Sequence, residues 1–197
     1  MKYIIMADGH GSRWNNFMGH SKHEICVNGE TLLERTVRLL HEEDKNAEVI
    51  ITSHNPELAV AGAVRYEPQN NVLEIDRFTA ELIADNVCFL YGDVLYSAEA
   101  IKTIIGCTDA PVSFCGSEKS ICAVVVKDGA TFDKLYHEVR ERFLSGEIAE
   151  CKGWQVYHLY EGLPLEGRGI GKSYVFVDSF TRDFNTPEEY LEFAGQK

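Results

Sequence analysis

Two hydrophobic rhythms alternate along the chain: short unbroken apolar runs bounded by turn residues, which mark buried strands, and apolar positions three or four apart, which mark helices. Strand runs cover Lys2 to Ala7, Glu48 to Ser53, a weaker Ala63 to Tyr66, Val87 to Tyr91, Val112 to Cys115 and Ile121 to Lys127. Trp154 to Tyr160 and Tyr174 to Val177 also have strand composition. A helix is predicted over Thr31 to Glu43, opened by a Thr31/Glu34 capping box with Leu33, Val37 and Leu40 on one face. Ile75 to Asp85 reads as a second, with Ile75, Phe78, Leu82 and Ile83 apolar. Ser97 caps a short helix to about Ile105, and an amphipathic helix runs from Ala130 to Ser145, closed by Gly146. The last begins with Thr186 as cap, Pro187 in the first turn and Glu189 completing a capping box. Asp8 to Gly29 is polar and without period; loops near 20 residues are uncommon in compact domains and are usually functional.

Strands alternating with helices predict an α/β fold: a Rossmann-like, mixed but mainly parallel sheet covered by helices on both faces, as one domain over residues 1–197. In such sheets ligands bind beyond the carboxyl ends of the strands. Three polar features fall just after predicted strands, namely the loop at Asp8, the Gly92-Asp93 pair and Asp183.

Composition narrows the function. A net charge of −12 excludes a general nucleic-acid binder, which needs a basic face. A nucleotide substrate stays open, because two or three cations and a bound metal can hold a triphosphate. No apolar run approaches the roughly 20 residues that cross a bilayer, and Met1 to Met6 is too short for a signal peptide, so a cytoplasmic protein without a membrane partner is expected. The six cysteines (Cys26, Cys88, Cys107, Cys115, Cys122, Cys151) contain no C-x-x-C pair, and those within apolar runs read as small core residues. His20 and His23 read as solvated loop residues rather than metal ligands.

The candidate chemistry begins at Ala7-Asp8-Gly9-His10-Gly11-Ser12-Arg13. Gly9 and Gly11 leave the backbone uncovered, so that N–H groups can face phosphate oxygens, and Arg13 adds a planar cation. Trp14 stands where a dinucleotide motif has its third glycine, and no G-K-[ST] follows. Lys22 lies in the same loop, Asp93 ends a buried strand where a carboxylate can hold Mg²⁺, and Asp183 precedes the last helix.

Together these segments resemble the nucleotidyltransferases related to sugar-nucleotide pyrophosphorylases, choline-phosphate cytidylyltransferases and molybdopterin guanylyltransferase. That family opens with L-A-A-G-x-G-x-R, then P-K and G-x-x-L-[LI]-x-R. Here the matching segments are Met6 to Arg13, Ser21-Lys22 and Gly29 to Arg35. Tyr91 to Ser97 resembles the family's metal-binding G-D strand end, and Asp183 to Tyr190 its closing D-[IF]-[ND]-T-P-E-[DE]-Y segment. The resemblance runs from Met1 to about Phe193, and departs at Asp8, where the family has a small residue, and at Ser21, where it has proline. Asp8 brings a carboxylate that either repels phosphates or helps to order the metal.

The resemblance implies a nucleotide-diphospho-sugar transferase-like fold and transfer of a nucleoside monophosphate from an NTP to a small phosphorylated acceptor, releasing pyrophosphate. It implies Mg²⁺ as cofactor, held by Asp93 and Asp183, with Arg13, Lys22, Asp93 and Asp183 catalytic. Ala7, Asp8, Gly9, Gly11, Ser12, Arg13 and Lys22 are expected around the nucleotide. Base contacts are sought along Asn71 to Phe78, at Asp76, Arg77 or the nearby Thr79. The acceptor is sought within 150–180, where Trp154, Tyr157, His158, Arg168 and Lys172 lie and where Arg168 and Lys172 are its expected cationic contacts. CTP with a choline-phosphate-like or sugar-phosphate acceptor is the first reading by family analogy. Molybdopterin guanylyl transfer and a non-catalytic nucleotide-binding regulator are the alternatives, and a homodimer is left open.

Overall fold

The computed structural model describes residues 1–9, 11, 13–19, 21–167, 169–177 and 181–195. The elements run in chain order from β1 (Lys2–Met6) through β2 (Cys26–Val27), β3 (Glu30–Thr31), α1 (Leu32–Glu43), β4 (Glu48–Thr52) and β5 (Val64–Tyr66). Next come β6 (Val87–Tyr91), β7 (Val94–Leu95), α2 (Ala98–Ile105), β8 (Val112–Gly116), β9 (Ile121–Val126) and α3 (Gly129–Leu144). The chain continues with α4 (Gly153–Glu161), β10 (Val175–Phe176), β11 (Arg182–Asp183) and α5 (Pro187–Gly195).

Seven strands form the main sheet in the order β10-β8-β9-β6-β1-β4-β5. β1 lies parallel between β4 and β6, with Met6 level with both Thr52 and Tyr91. Three strand ends therefore finish side by side. β9 runs antiparallel to β6, so its start arrives at the same edge. This is the mixed, mainly parallel sheet that the pattern predicts.

Alternation along β1 divides the core. Tyr3 and Ile5 join Leu33, Val37, Leu40, Ile101 and Ile104 of α1 and α2, whereas Ile4 and Met6 join Phe132, Val139, Val156 and Tyr157 of α3 and α4. Phe78, Phe89 and Phe132 meet with ring centroids 5.2–5.7 Å apart, two of the pairs edge-on. A third, smaller core gathers Trp14, Ile25, Val27, Leu32, Leu95 and Phe184. Among the described residues no helix is long and apolar enough to cross a membrane.

Three expectations are corrected. Trp154 to Tyr160 is the helix α4, closed by Gly162 at φ 70°. Its run of aromatics carries strand propensity, but Val156, Tyr157 and His158 are buried around the helix, and packing overrides propensity. Ile75 to Asp85 forms two tight 3₁₀ turns, Glu74–Phe78 and Ala80–Leu82, split by Thr79 at φ 49°. The 8–29 segment is not uniformly loop: it holds short 3₁₀ turns at Phe17–Gly19 and Lys22–Glu24, and its end forms the β2–β3 hairpin through Asn28-Gly29 at positive φ.

Asp76 explains the first of those turns. Its carboxylate is wholly buried and accepts from the Val72 and Leu73 N–H groups (3.1 and 2.8 Å), Tyr136 Oη (3.0 Å) and Arg140 Nε (3.2 Å). Burial alone would raise its pKa, but these four partners hold it below the ordinary carboxylate value. With a depressed folded value, the contribution is present above the unfolded pKa and is lost as pH falls through the folded one. We expect Asp76→Ala to lower the unfolding free energy by about 3 kcal/mol. Urea unfolding of Asp76→Asn should also show a shallower loss of stability below pH 4 than wild type, and equal slopes would rule this role out.

Candidate functional site

The long loop leaves β1 at Ala7, and Gly92 lets the end of β6 pass against it. The Gly92 N–H donates to the Met6 carbonyl at 3.0 Å. A Cβ on Gly92 would sit 2.8 Å from that oxygen and 3.2 Å from the Ala7 Cβ. Asp93 is thereby delivered to the sheet edge beside the loop. The Phe184 N–H donates to the Asp93 carbonyl (3.1 Å), and Asp183 pairs with Val94 in the β7–β11 ladder, so the two aspartates lie on neighbouring backbones.

A cleft of about 580 Å³ opens here, lined by Gly11, Arg13, Lys22, Asp93 and Asp183 among others. Arg13, Lys22, Asp93 and Asp183, singled out in the sequence, thus meet at one place. Lys22 and Asp93 form a buried ion pair between Nζ and Oδ2. Burial would raise the Asp93 carboxyl, but the Lys22 ammonium leads the charges that hold it below the usual range. Arg13 Nη2 donates to Asn185 Oδ1 (3.0 Å) and Asn185 Nδ2 donates to Asp183 Oδ2 (2.8 Å), so one amide links the cation to the acid. Asn185 is held in turn by Glu189, which accepts its backbone N–H at 2.6 Å.

Other lining residues were less legible. Arg77 lies across Gly9, and a Cβ on Gly9 would be 3.6 Å from its Cζ. Lys119 and Ser120 come from the turn before β9, and Lys152, Gly153 and Trp154 from the start of α4. Lys152 contacts Glu150 (2.7 Å) and Glu74 (3.9 Å), whereas the Lys119 ammonium makes no ion pair among the described residues. Trp154 stacks on Tyr174 with centroids 5.9 Å apart. Lys119 and Lys152 carry no motif, and only topology brings them here.

A second space of about 500 Å³ adjoins the first on the β4 side. Ala7, Asp8, Gly9, Leu58 and Val72 line it with the polar side chains of His54, Asn55, Gln69, Asn70 and Asn71. Among the described residues no lysine, arginine or glutamate lines it, and the one acid among them, Asp8, is turned to His54: the His54 N–H donates to Oδ1 and Nδ1 lies against Oδ2, both at 2.7 Å. His23 borders the same space.

Some expected site residues are placed elsewhere. Asp76 lines neither space, because its carboxylate is consumed inside the fold. Thr79, Tyr157 and His158 are buried. Lys172 is exposed and lines neither space, so it is not a cleft cation in this structure. Ser12, Arg168 and His20 lie outside the described residues. His23 is not solvated but buried, and burial pushes its pKa down to about 4. The reading of the cysteines within apolar runs as core holds for Cys88 and Cys122; Cys115 and Cys151 are buried as well, whereas Cys26 is exposed.

No protein-family profile and no curated protein matches the chain. Solved structures do. The CTP:phosphocholine cytidylyltransferase from Streptococcus pneumoniae superposes with a TM-score of 0.63 at 13% identity, covering 99% of this chain and 98% of that one. The 4-diphosphocytidyl-2C-methyl-D-erythritol synthase from Anaerococcus prevotii gives 0.62 at 15% identity, covering 100% and 96%. A nucleoside-diphosphate-sugar pyrophosphorylase from Vibrio cholerae gives 0.61 at 12%, with both chains fully covered. The chain has the nucleotide-diphospho-sugar transferase fold of these nucleotidyltransferases.

The two glycines at the sheet edge should behave differently. Gly92→Ala forces a methyl against backbone and is expected to cost about 2 kcal/mol. Gly9→Ala meets only ordinary contact with Arg77 and should stay within about 0.5 kcal/mol of wild type. Chemical unfolding of the two variants tests this, and equal losses would contradict it.

Proposed function

We propose that the protein is a Mg²⁺-dependent nucleotidyltransferase that joins a nucleoside monophosphate to a small phosphorylated acceptor. The observation that carries this reading is the meeting of Arg13, Lys22, Asp93 and Asp183, from segments far apart in the chain, in one cleft at the carboxyl edge of the sheet.

Attacker and target are both anions, so neutralising charge is the main demand. Two unit charges about 4 Å apart interact by roughly 4 kcal/mol at an effective dielectric near 20. An acceptor phosphate oxygen forms a bond to the α-phosphorus as the bond to the β-phosphate oxygen breaks, and pyrophosphate leaves. A general base is not required, because the attacking phosphate is already ionised. Arg13 and the loop backbone hold the β- and γ-phosphates, Lys22 neutralises the α-phosphate, and Arg77 borders the same position. The neutral space beside Ala7 takes the base, since an uncharged planar ring suits amides better than the cation-lined cleft does. Lys119 and Lys152 face the acceptor phosphate, with Trp154 against the rest of the acceptor.

Asp93 and Asp183 fit a metal of this kind. Mg²⁺ keeps several waters and is held by one or two carboxylates plus substrate phosphates, and two carboxylates on adjacent strands are what the cleft offers. Held by Asp93 and Asp183, Mg²⁺ would supply charge stabilisation to the phosphates. Lys22, which pairs with Asp93, would neutralise charge at the α-phosphate. By analogy with the cytidylyltransferases of this fold, CTP is the first nucleotide to try, with choline-phosphate-like and sugar-phosphate acceptors.

Pyrophosphate release with each of four NTPs and a panel of phosphorylated acceptors tests the reading. At least one pair should turn over, and Lys22→Ala and Asp93→Asn should each lower kcat by about 100-fold or more, near 3 kcal/mol. Near-normal turnover in either variant would remove the assigned roles, and no release from any pair would remove the reaction.

A further inference from the structure

Asp8 stands where the resembling family has a small residue, and its partner explains what the carboxylate does. A carboxylate only accepts and a backbone N–H only donates, so Oδ1 is taken by the His54 N–H. The 2.7 Å contact between Oδ2 and Nδ1 then needs the ring proton on Nδ1. In the neutral imidazole the other nitrogen, Nε2, is a bare acceptor. It has no hydrogen-bond partner among the described residues, and the ring is 47% exposed while Asp8 is only 8% exposed. Asn71 braces the arrangement from the other side, its Nδ2 donating to the Asp8 carbonyl at 2.8 Å. A fixed acceptor thus borders the neutral space, immediately beside the loop proposed to hold the triphosphate.

We propose that the Asp8–His54 pair is a base-reading device that selects nucleotides whose base carries an exocyclic amino group over the isosteric oxo base. The proposal rests on the reading above in placing a base in this space. An amino group donates to Nε2, whereas a carbonyl oxygen would set two acceptors against each other. A site built around one polar partner discriminates mainly by leaving that partner unpaired when the wrong ligand binds.

The geometry also dictates how the preference can be turned round. In Asp8→Asn the backbone N–H of His54 still demands the side-chain oxygen, which leaves the amide NH₂ facing Nδ1. Nδ1 must then accept, the ring proton moves to Nε2, and the device becomes a donor suited to an oxo base. A purely structural role for Asp8 predicts weaker binding of every nucleotide without such a reversal.

Isothermal titration of the protein at pH 8.5 with the Mg²⁺ complexes of CTP and UTP, and of ATP and ITP, compares two isosteric amino/oxo pairs. The amino member of at least one pair should bind wild type about 10-fold tighter. Asp8→Asn should reverse that order, and His54→Ala should bring the pair within about twofold. Equal binding within both pairs by wild type, an amino preference that survives in either variant, or no binding of any of the four nucleotides overturns the proposal. Pyrophosphate release reports the reaction separately. Discrimination without release would leave base reading standing and remove nucleotidyl transfer, whereas release that ignores the base would do the reverse.

Discussion

The buried pair of Lys22 and Asp93 is the constraint on which the site depends. Both side chains are less than a tenth exposed. Removing two charges from water costs several kcal/mol each, and a hydrophobic pair of similar size often serves stability as well or better. Such a pair is therefore poor evidence of a device for stability alone. Its consequence is positional. It ties the middle of a long polar loop to the end of a buried strand, so that separating them would leave two unpaired charges that are each less than a tenth exposed. The same low-exposure setting makes both groups responsive to a ligand, since a polyanion offers Lys22 a second partner and a cation offers one to Asp93.

The loop is able to carry charge there because it has a hydrophobic anchor of its own. Trp14, Ile25 and Val27 pack with Leu32, Leu95 and Phe184, against which Phe17, Tyr190 and Phe193 lie. This small core joins the beginning of the chain to its end and to the strand pair beside Asp93. It sets Arg13 within reach of Asn185, and through Asn185 of Asp183. The main sheet alone could not do this, because its parallel strands present their ends but do not control loops of this length. The fold builds its charged site with the help of this third, local core.

This division explains what could be read from the sequence. Strands β1, β4, β6, β8 and β9 and helices α1, α2, α3 and α5 were legible because their signals are local: continuous apolar runs, capping boxes at Thr31 and Thr186, and caps such as Ser97. The four residues that meet in the cleft were legible through short motifs, Arg13 and Lys22 in the first loop, Asp93 just after β6 and Asp183 ahead of the last helix. What escaped depends on distant partners. Helix α4 has strand-like aromatics and becomes helical where it packs under the sheet. Asp76 looked like a surface contact because nothing nearby in sequence reveals Tyr136 and Arg140, 60 and 64 residues away. His54 follows an unremarkable strand, and gains meaning only from the parallel register that places Thr52 level with Met6.

The chain's strongly acidic balance sharpens the contrast between its two adjoining spaces. With a net charge of −12, cations are scarce, yet Arg13, Lys22, Arg77, Lys119 and Lys152 all border one cleft. Long-range repulsion of a polyanion by the rest of the surface is largely screened beyond about 8 Å at physiological salt, so the local balance of these five cations against Glu74, Asp93, Asp183 and Glu189 matters more than the net charge. Asp8 lines the second space, beside the loop that in the proposed reading holds a triphosphate, which a free carboxylate there would oppose. Both of its oxygens are instead taken up by His54, through its backbone N–H and Nδ1. In the proposed reading, the departure from a small residue at position 8 is thereby compatible with a loop that holds phosphates, because the Asp8 carboxylate is already engaged by His54.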